Sequence, residues 1–164
     1  MKACDDVETS ILFVCLGNIC RSPLAESVMK KMVAEAGWEG RFLIDSAGLI
    51  DYHEGELADP RMRRHAERHG YRITHRSRPI SRADFRRFDL IIGMDDANMR
   101  ALRNLAPPGT AGRLHLITEF FIEHTGAASV PDPYYGDDEG FELSIVLLED
   151  ACRGLLRCLT RASS

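Results

Sequence analysis

Seven residues, Cys15-Leu16-Gly17-Asn18-Ile19-Cys20-Arg21, followed by Ser22-Pro23, combine the types needed to act on a phosphate-like anion. Gly17 and Asn18 tolerate the positive φ that a tight loop requires. A loop that enters a helix turns successive backbone N–H groups inward and adds the positive end of the helix dipole, which makes a concave anion site from Leu16 to Arg21. Arg21 supplies a planar fork for two oxygens. The Cys15 sulfur would lie at the bottom of that bowl. Electropositive loops of this kind favour the thiolate over the thiol. Ser22 can turn its hydroxyl to that sulfur and ease its later departure. An ionised, poorly solvated sulfur facing phosphorus is a nucleophile for a covalent phosphoryl intermediate. A cysteine at the end of an apolar strand is most often a small buried hydrophobe, but here the neighbouring Gly, Asn, Arg, Ser and Pro all suit one mechanism.

Expelling an alcohol or phenol from a phosphate ester needs a proton, and a positioned acid contributes about 10²–10⁴-fold. Asp132, between Pro131 and Pro133, is the best candidate. The prolines restrict the backbone around it, although Asp-Pro pairs are also ordinary turn residues. Tyr134 and Tyr135 follow directly and could wall a flat aromatic substrate, or simply pack. Cys20 would share the bowl with Cys15, where it either packs or forms a reversible disulfide that protects the nucleophile from overoxidation. His65 and His69 are spaced i, i+4, a spacing metals use, but no third ligand is evident and a solvated face is the expectation; no metal or other cofactor is expected.

These residues need a scaffold. Ile11-Leu12-Phe13-Val14 is apolar on both faces, as in a central parallel strand covered by helices. Ser22-Pro23 reads as a helix N-cap with proline at the first position, and Leu24, Val28, Met32 and Ala36 carry that helix to Gly37. Phe42-Leu43-Ile44 is a second strand. Asp59-Pro60 starts a second helix, which ends near His69. Phe88 to Met94 is a third strand, Asp95 to Leu105 a helix, Leu114-His115-Leu116 a short fourth strand, and Glu119 to His124 a helical turn. Phe141, Ile145, Leu148, Cys152, Leu155 and Leu159 trace one face of a long final helix. Alternating strands and helices imply a single open doubly wound α/β domain over residues 10–164, with a four-stranded parallel sheet and helices on both faces, after a polar tail at 1–9. Ligands of such sheets sit at the carboxyl ends of the strands, where strand order reverses, and that is where Cys15 falls.

The 164 residues fit one domain. Hydrophobic residues make up 45 % and charged residues 28 %, which excludes wholesale disorder. The net charge of −4 argues against a duplex nucleic acid partner. No apolar run is long enough to span a membrane, the first ten residues lack a signal peptide's apolar core, and five cysteines with no even spacing do not form a secreted disulfide framework. A cytoplasmic protein, expected to be a monomer, is the reading.

Val14-Cys15-Leu16-Gly17-Asn18-Ile19-Cys20-Arg21-Ser22-Pro23 resembles the signature of the low-molecular-weight protein tyrosine phosphatases. Ser46-Ala47-Gly48, Asp59-Pro60-Arg61, Phe88-Asp89 leading to Met94-Asp95, Asn98, and Asp132-Pro133-Tyr134 follow in that family's order. The resemblance implies a metal-independent hydrolase of tyrosine-phosphorylated proteins, with phosphate and other oxyanions as product or inhibitors. It implies Cys15 as nucleophile, Arg21 and the loop amides as phosphate ligands, and Asp132 as general acid. It also implies that Asn18 and Ser46 hold the loop open, with His75 either contributing similarly or lying on the surface, and that Tyr52 and Tyr134 flank the leaving aryl group, with Ile19 beside it. Relatives that hydrolyse phosphoarginine carry threonine where this chain has Ile19. Arsenate reductases of the same fold need two further cysteines, and none occurs between Cys20 and Cys152. A non-catalytic phosphotyrosine- or oxyanion-binding module would need neither Cys15 nor Asp132. The segment His53-Glu54-Gly55-Glu56-Leu57 is more acidic than the resemblance leads one to expect.

Overall fold

Four strands form one parallel sheet in the order β2-β1-β3-β4: β1 is Thr9–Cys15, β2 Phe42–Gly48, β3 Leu90–Gly93 and β4 Leu114–Leu116. The structure is a computed structural model and describes residues 9–134 and 136–162. Helices α1 (Arg21–Glu35), α2 (Pro60–Arg68), α3 (Arg82–Arg87), α4 (Asp96–Leu105) and α5 (Asp138–Ala162) complete the chain in sequence order, with 3₁₀ turns at Ala111–Arg113 and Ile117–Phe120.

β1 is central because both its faces are apolar. Ile11, Phe13 and Cys15 point into one core with α1 and α5, while Leu12 and Val14 point into another with Phe85, Phe88, Met99 and Leu102 of the α3–α4 side. This alternation is the period of two that a strand imposes. Ile11 through Val14 are fully buried, and each such side chain contributes about 1.5–3 kcal/mol of hydrophobic stabilisation. Strand order reverses between β1 and β3, so the loops leaving their carboxyl ends diverge and open a crevice beside Cys15.

The expected α/β architecture is present, with differences at element ends. Thr9 and Ser10 join β1, because Thr9 pairs with Phe42 and Ser10 with Leu43. β2 continues through Ser46-Ala47-Gly48, carried by its register with β1 as far as Cys15↔Gly48. Ser22 is not an N-cap. α1 begins at Arg21, Cys20 holds the cap position without a side-chain bond, and the Ser22 hydroxyl is directed elsewhere. The buried stripe of α1 is Leu24, Ala25, Val28, Met29 and Val33, and Ala36 is exposed. A strict four-residue spacing drifts around a helix of 3.6 residues per turn. The short α3, which the apolar pattern did not suggest, is started by Asp84, whose carboxylate accepts from the Ser81 N–H at 2.8 Å and the Ser81 hydroxyl at 3.2 Å. The helical turn expected at Glu119–His124 is a 3₁₀ turn at Ile117–Phe120 instead.

Asp150 explains that shift. It is fully buried on α5 and accepts from the backbone N–H groups of Ile122, Glu123 and His124 at 2.8–3.2 Å, and it also meets His124 Nδ1 at 3.0 Å. These amides turn toward the carboxylate rather than into a helix. Burial alone would raise the carboxyl pKa, but the bonds from His124, Ile122 and Glu123 outweigh it and hold it down at about 2. A folded-state pKa below the usual carboxylate value gives stability that is complete above about pH 4 and is lost as pH falls toward 2, worth about 2 kcal/mol. Asp150→Ala should therefore lower the unfolding free energy at pH 7 by about 2–4 kcal/mol and flatten the acid limb of stability between pH 4 and 2. Urea titrations across pH measure both.

Candidate active site

The segment from Cys15 to Arg21 closes into a bowl because its carbonyls are held outward. Leu49 N–H donates to the carbonyls of Cys15 and Leu16, and Ile50 N–H donates to Leu16. Ser77 Oγ donates to Gly17 O, Asp59 N–H to Ile19 O and Leu24 N–H to Cys20 O. Among the described residues, no amide from Leu16 to Arg21 donates to a protein acceptor. Six consecutive N–H groups without a protein acceptor and an uncapped helix start are the donors that an anion site uses. Gly48 permits the closure: a Cβ there would lie 3.0 Å from Asn18 Cβ and 3.1 Å from Leu16 O.

Asn18 is the one non-glycine among the described residues with positive φ, at 59°. Its side chain keeps it there. Nδ2 donates to Ser22 Oγ (2.8 Å) and Ser46 Oγ (3.1 Å), and Oδ1 accepts from His75 Nε2 (2.8 Å) and Arg78 N–H (3.0 Å). His75 is therefore not a surface residue. Its Nδ1 faces Glu26 at 3.2 Å and Asp45 at 3.5 Å. Ser46 Oγ donates to Glu26 Oε1 at 2.7 Å. Since Ser22 Oγ accepts from Asn18, its own proton is free for Cys15 Sγ at 3.0 Å, a nearer acceptor than Ala47 O at 3.5 Å. Ser22 N–H also points to the sulfur at 3.4 Å. The chain of donors thus runs Asn18 to Ser22 to Cys15, and Cys15 is buried at its end.

Arg21 is 2 % exposed. Its Nη1 donates to Asp95 Oδ2 (2.8 Å) and Val130 O (2.9 Å), Nη2 lies 3.5 Å from Asp132 Oδ2, and the buried Nε has no partner. Burial opposes its charge, but the Cys15 sulfur, the Asp95 hydrogen bond and Asp132 outweigh burial and hold its pKa above the usual value. Asp95 was not expected to have this role. It caps α4 through Asn98 N–H and also anchors the guanidinium from across the strand-order reversal. An acidic N-cap at the carboxyl end of the third strand was the available signal.

Asp132 sits in irregular chain, with Oδ1 accepting from Tyr134 N–H at 3.1 Å. Arg61 secures this turn by donating from Nη2 to Tyr134 O (2.9 Å) while it binds Asp59 through Nε and Nη2. Cys15, Asp132, Tyr52, Tyr134, Ile19 and Cys20 all line one cleft of about 300 Å³. Ile50 and His53, not singled out from sequence as site residues, line it too. His53 packs edge-on against Tyr52, with ring centres 4.9 Å apart, and lies 6.2 Å from the Tyr134 ring. Tyr135 lies outside the described residues. Burial, then the nearby Cys15, Asp59 and Asp132, push the Cys20 thiol well above its usual pKa, so it stays protonated beside Cys15.

His65 is not on a solvated face. It is buried, stacked on Phe141 and held between Asp138 and Glu142 of α5, and His69 also reaches Glu142. Among the described residues, two groups have metal-ligand spacing, Glu26/Asp45/His75 and Glu123/His124/Asp150. Their donor atoms already meet the loop-support residues in the first and backbone amides in the second.

Residues 10–164 match the family model of low molecular weight phosphotyrosine protein phosphatases. A low molecular weight protein-tyrosine-phosphatase of Streptomyces coelicolor is 43 % identical over 148 residues, 89 % of this chain and 90 % of that protein. The crystal structure of a protein tyrosine phosphatase from Entamoeba histolytica, with Hepes in its active site, superposes with a TM-score of 0.91 at 41 % identity, covering 95 % of this chain and 99 % of that one. A Drosophila arginine phosphatase superposes with a TM-score of 0.85 at 30 % identity, covering 91 % and 96 %.

Asn18→Ala should leave a residue strained at positive φ and remove four hydrogen bonds from the loop. Phosphate affinity, measured by calorimetry, should fall about tenfold or more, the equivalent of about 1.4 kcal/mol.

Proposed function

The chain belongs to the low molecular weight phosphotyrosine protein phosphatase family, and on that premise we propose that it hydrolyses phosphotyrosine in proteins through a phosphocysteine. The observation that carries this reading is six consecutive loop amides without a protein acceptor, together with a buried guanidinium, beside one buried cysteine. A phosphate monoester enters the bowl as a dianion. The Cys15 thiolate attacks phosphorus while the bond to the phenol oxygen breaks. Amides of Leu16, Gly17, Asn18, Ile19, Cys20 and Arg21, with the Arg21 fork, stabilise the equatorial oxygens as charge spreads over them. Asp132 gives its proton to the departing phenol oxygen. Water then attacks the phosphocysteine, Asp132 takes back a proton, and the S–P bond breaks to release phosphate. The Ser22 hydroxyl, 3.0 Å from the sulfur, stabilises the thiolate as it leaves.

Tyr52, Tyr134 and Ile19 contribute apolar walls for the aryl ring; the same role was inferred for Tyr135. Asn18, Ser46 and His75 act through the loop rather than on substrate. Cys20 is the partner for an oxidised Cys15: peroxide converts Cys15 to a sulfenic acid, and the Cys20 thiol condenses with it to a disulfide and water.

The likeness to an arginine phosphatase raises phosphoarginine as a second substrate. Ile19 presents no hydroxyl to that chemistry, and phosphotyrosine peptides should outcompete phosphoarginine peptides in kcat/KM. Cys15→Ser should abolish turnover of p-nitrophenyl phosphate, and full activity in that variant would exclude the mechanism. Asp132→Ala should slow phenyl phosphate by about 10²-fold or more and p-nitrophenyl phosphate much less, because p-nitrophenolate leaves without a proton. Equal losses on both esters in steady-state assays would remove Asp132 from the acid role.

A further inference from the structure

Charge is distributed very unevenly along this chain. Ten of its 21 basic residues are arginines between positions 61 and 87, where the acidic residues are Glu67 and Asp84 alone. The remainder holds eleven basic and 23 acidic residues. An acidic protein therefore carries one strongly basic belt.

The belt has a definite path. α2 packs into the α1–α5 core through Met62 and Ala66, while Phe85 of α3 packs into the opposite core. The intervening chain crosses from one helical layer to the other around β2, an edge strand, where Gly48 N–H donates to Arg78 O and Ile80 N–H donates to Gly48 O, each at 2.8 Å. It passes the cleft as it crosses. Arg76 Nη1 donates to Gly55 O at 2.9 Å, on the loop that carries Tyr52 and His53, and Ser77 Oγ holds Gly17 O of the phosphate loop.

Most of these charges are not neutralised within the molecule. Arg61 meets Asp59, and Arg78 meets Asp45 and Asp84. Arg64, Arg68, Arg72, Arg82 and Arg86 are exposed and form no ion pair with a carboxylate among the described residues. Five exposed, unpaired guanidinium groups on one belt make a positive potential that attracts an anionic partner.

We propose that this belt docks a flexible acidic polypeptide segment, carried by the phosphotyrosine protein itself, and delivers its phosphotyrosine to the adjacent cleft. The shape selects the class of partner. A belt that bends around a sheet edge cannot be covered by a flat bilayer or a stiff duplex, whereas an extended chain can follow it. Single-stranded nucleic acid binds through stacking on exposed aromatic rings, and the belt's Tyr71 and Phe85 are 7 % and 1 % exposed. Guanidinium forks pair bidentately with carboxylates. The exposed Asp51, Glu54 and Glu56 across the seam repel an acidic chain from that side and leave the arginine side as its approach.

The proposal rests on the phosphatase reading above, and the test separates the two. A phosphotyrosine peptide with an eight-residue Glu/Asp extension should show kcat/KM about tenfold above that of the same peptide with a Gly/Ser extension at low salt, through KM, and the gain should shrink as salt rises. The combined variant R64Q/R68Q/R72Q/R82Q should lose that gain and keep its kcat/KM for p-nitrophenyl phosphate. A labelled Glu/Asp peptide without phosphotyrosine should bind the unaltered protein in fluorescence anisotropy and the variant at least several-fold more weakly. No gain from the acidic extension, or a gain that survives in the variant, would overturn docking. So would tighter binding to phosphatidylserine vesicles or to a single-stranded oligonucleotide than to the acidic peptide. If no phosphate ester is hydrolysed, the phosphatase reading fails while anisotropy still reports on the belt.

Discussion

Everything in the site depends on backbone amides from Leu16 to Arg21 that have no acceptor among the described residues, beside a sulfur that Ser22 N–H and Oγ meet. A buried N–H without an acceptor is costly, so the loop cannot hold this form through its own preferences. It is held from outside, by donors placed against the carbonyls of Cys15, Leu16, Gly17, Ile19 and Cys20. These donors come from β2's continuation at Leu49 and Ile50, from Ser77, from Asp59 at the start of α2 and from Leu24 in α1. Four separate parts of the chain pull the carbonyls outward, and the amides turn inward as a consequence.

The same constraint explains the side chains below the bowl. Asn18 adopts a conformation that few residues tolerate, and its amide group is fully bonded in return. Through Ser22 it directs one proton at Cys15, and through His75 and Ser46 it joins Glu26 and Asp45. The carboxylates stand behind the loop, where they orient donors without placing negative charge inside the bowl. On the other side, Asp95 and Val130 fix Arg21 by one nitrogen, and its buried Nε has no acceptor among the described residues. A guanidinium held this way loses little freedom when it binds, which is how a rigid fork favours the geometry of a transferring phosphoryl group.

Dense hydrogen bonding is concentrated around the Cys15–Arg21 loop. The cleft mouth is built from Ile50, Tyr52, His53 and Tyr134, with Tyr52 78 % exposed. Asp132 reaches the site from a turn between prolines, secured by Arg61 to the same α2 start that binds Ile19 O. Asp132 and the Cys15–Arg21 loop are thus tied to one helix terminus. Beyond the mouth, surface charge takes over. The arginine-rich belt and the acidic remainder of the chain give the molecule a direction of approach that the apolar cleft walls lack.

Local pattern alone was enough for the strand–loop–helix unit and its chemistry. An apolar run, a loop with Gly17 and Asn18, and Arg21 before Ser22-Pro23 leave few other folds, because those preferences act over a few residues. The alternation of later apolar runs likewise determined a parallel α/β sheet. Only the tertiary structure decided what each polar group meets. Ser22 reads as a helix cap in sequence but bonds the sulfur, since Cys20 takes the cap position. His65 reads as part of a solvated face, and His75 as a loop support or a surface residue, but both are enclosed by carboxylates from other elements. Asp95 gains its part only because strand order places β3 beside β1. Arg21, His65 and His75 meet partners 49 to 77 positions away, and Ser22 meets Cys15 by the turn of the loop; no short-range preference specifies such a meeting, and the packing of helices on both faces of the sheet does.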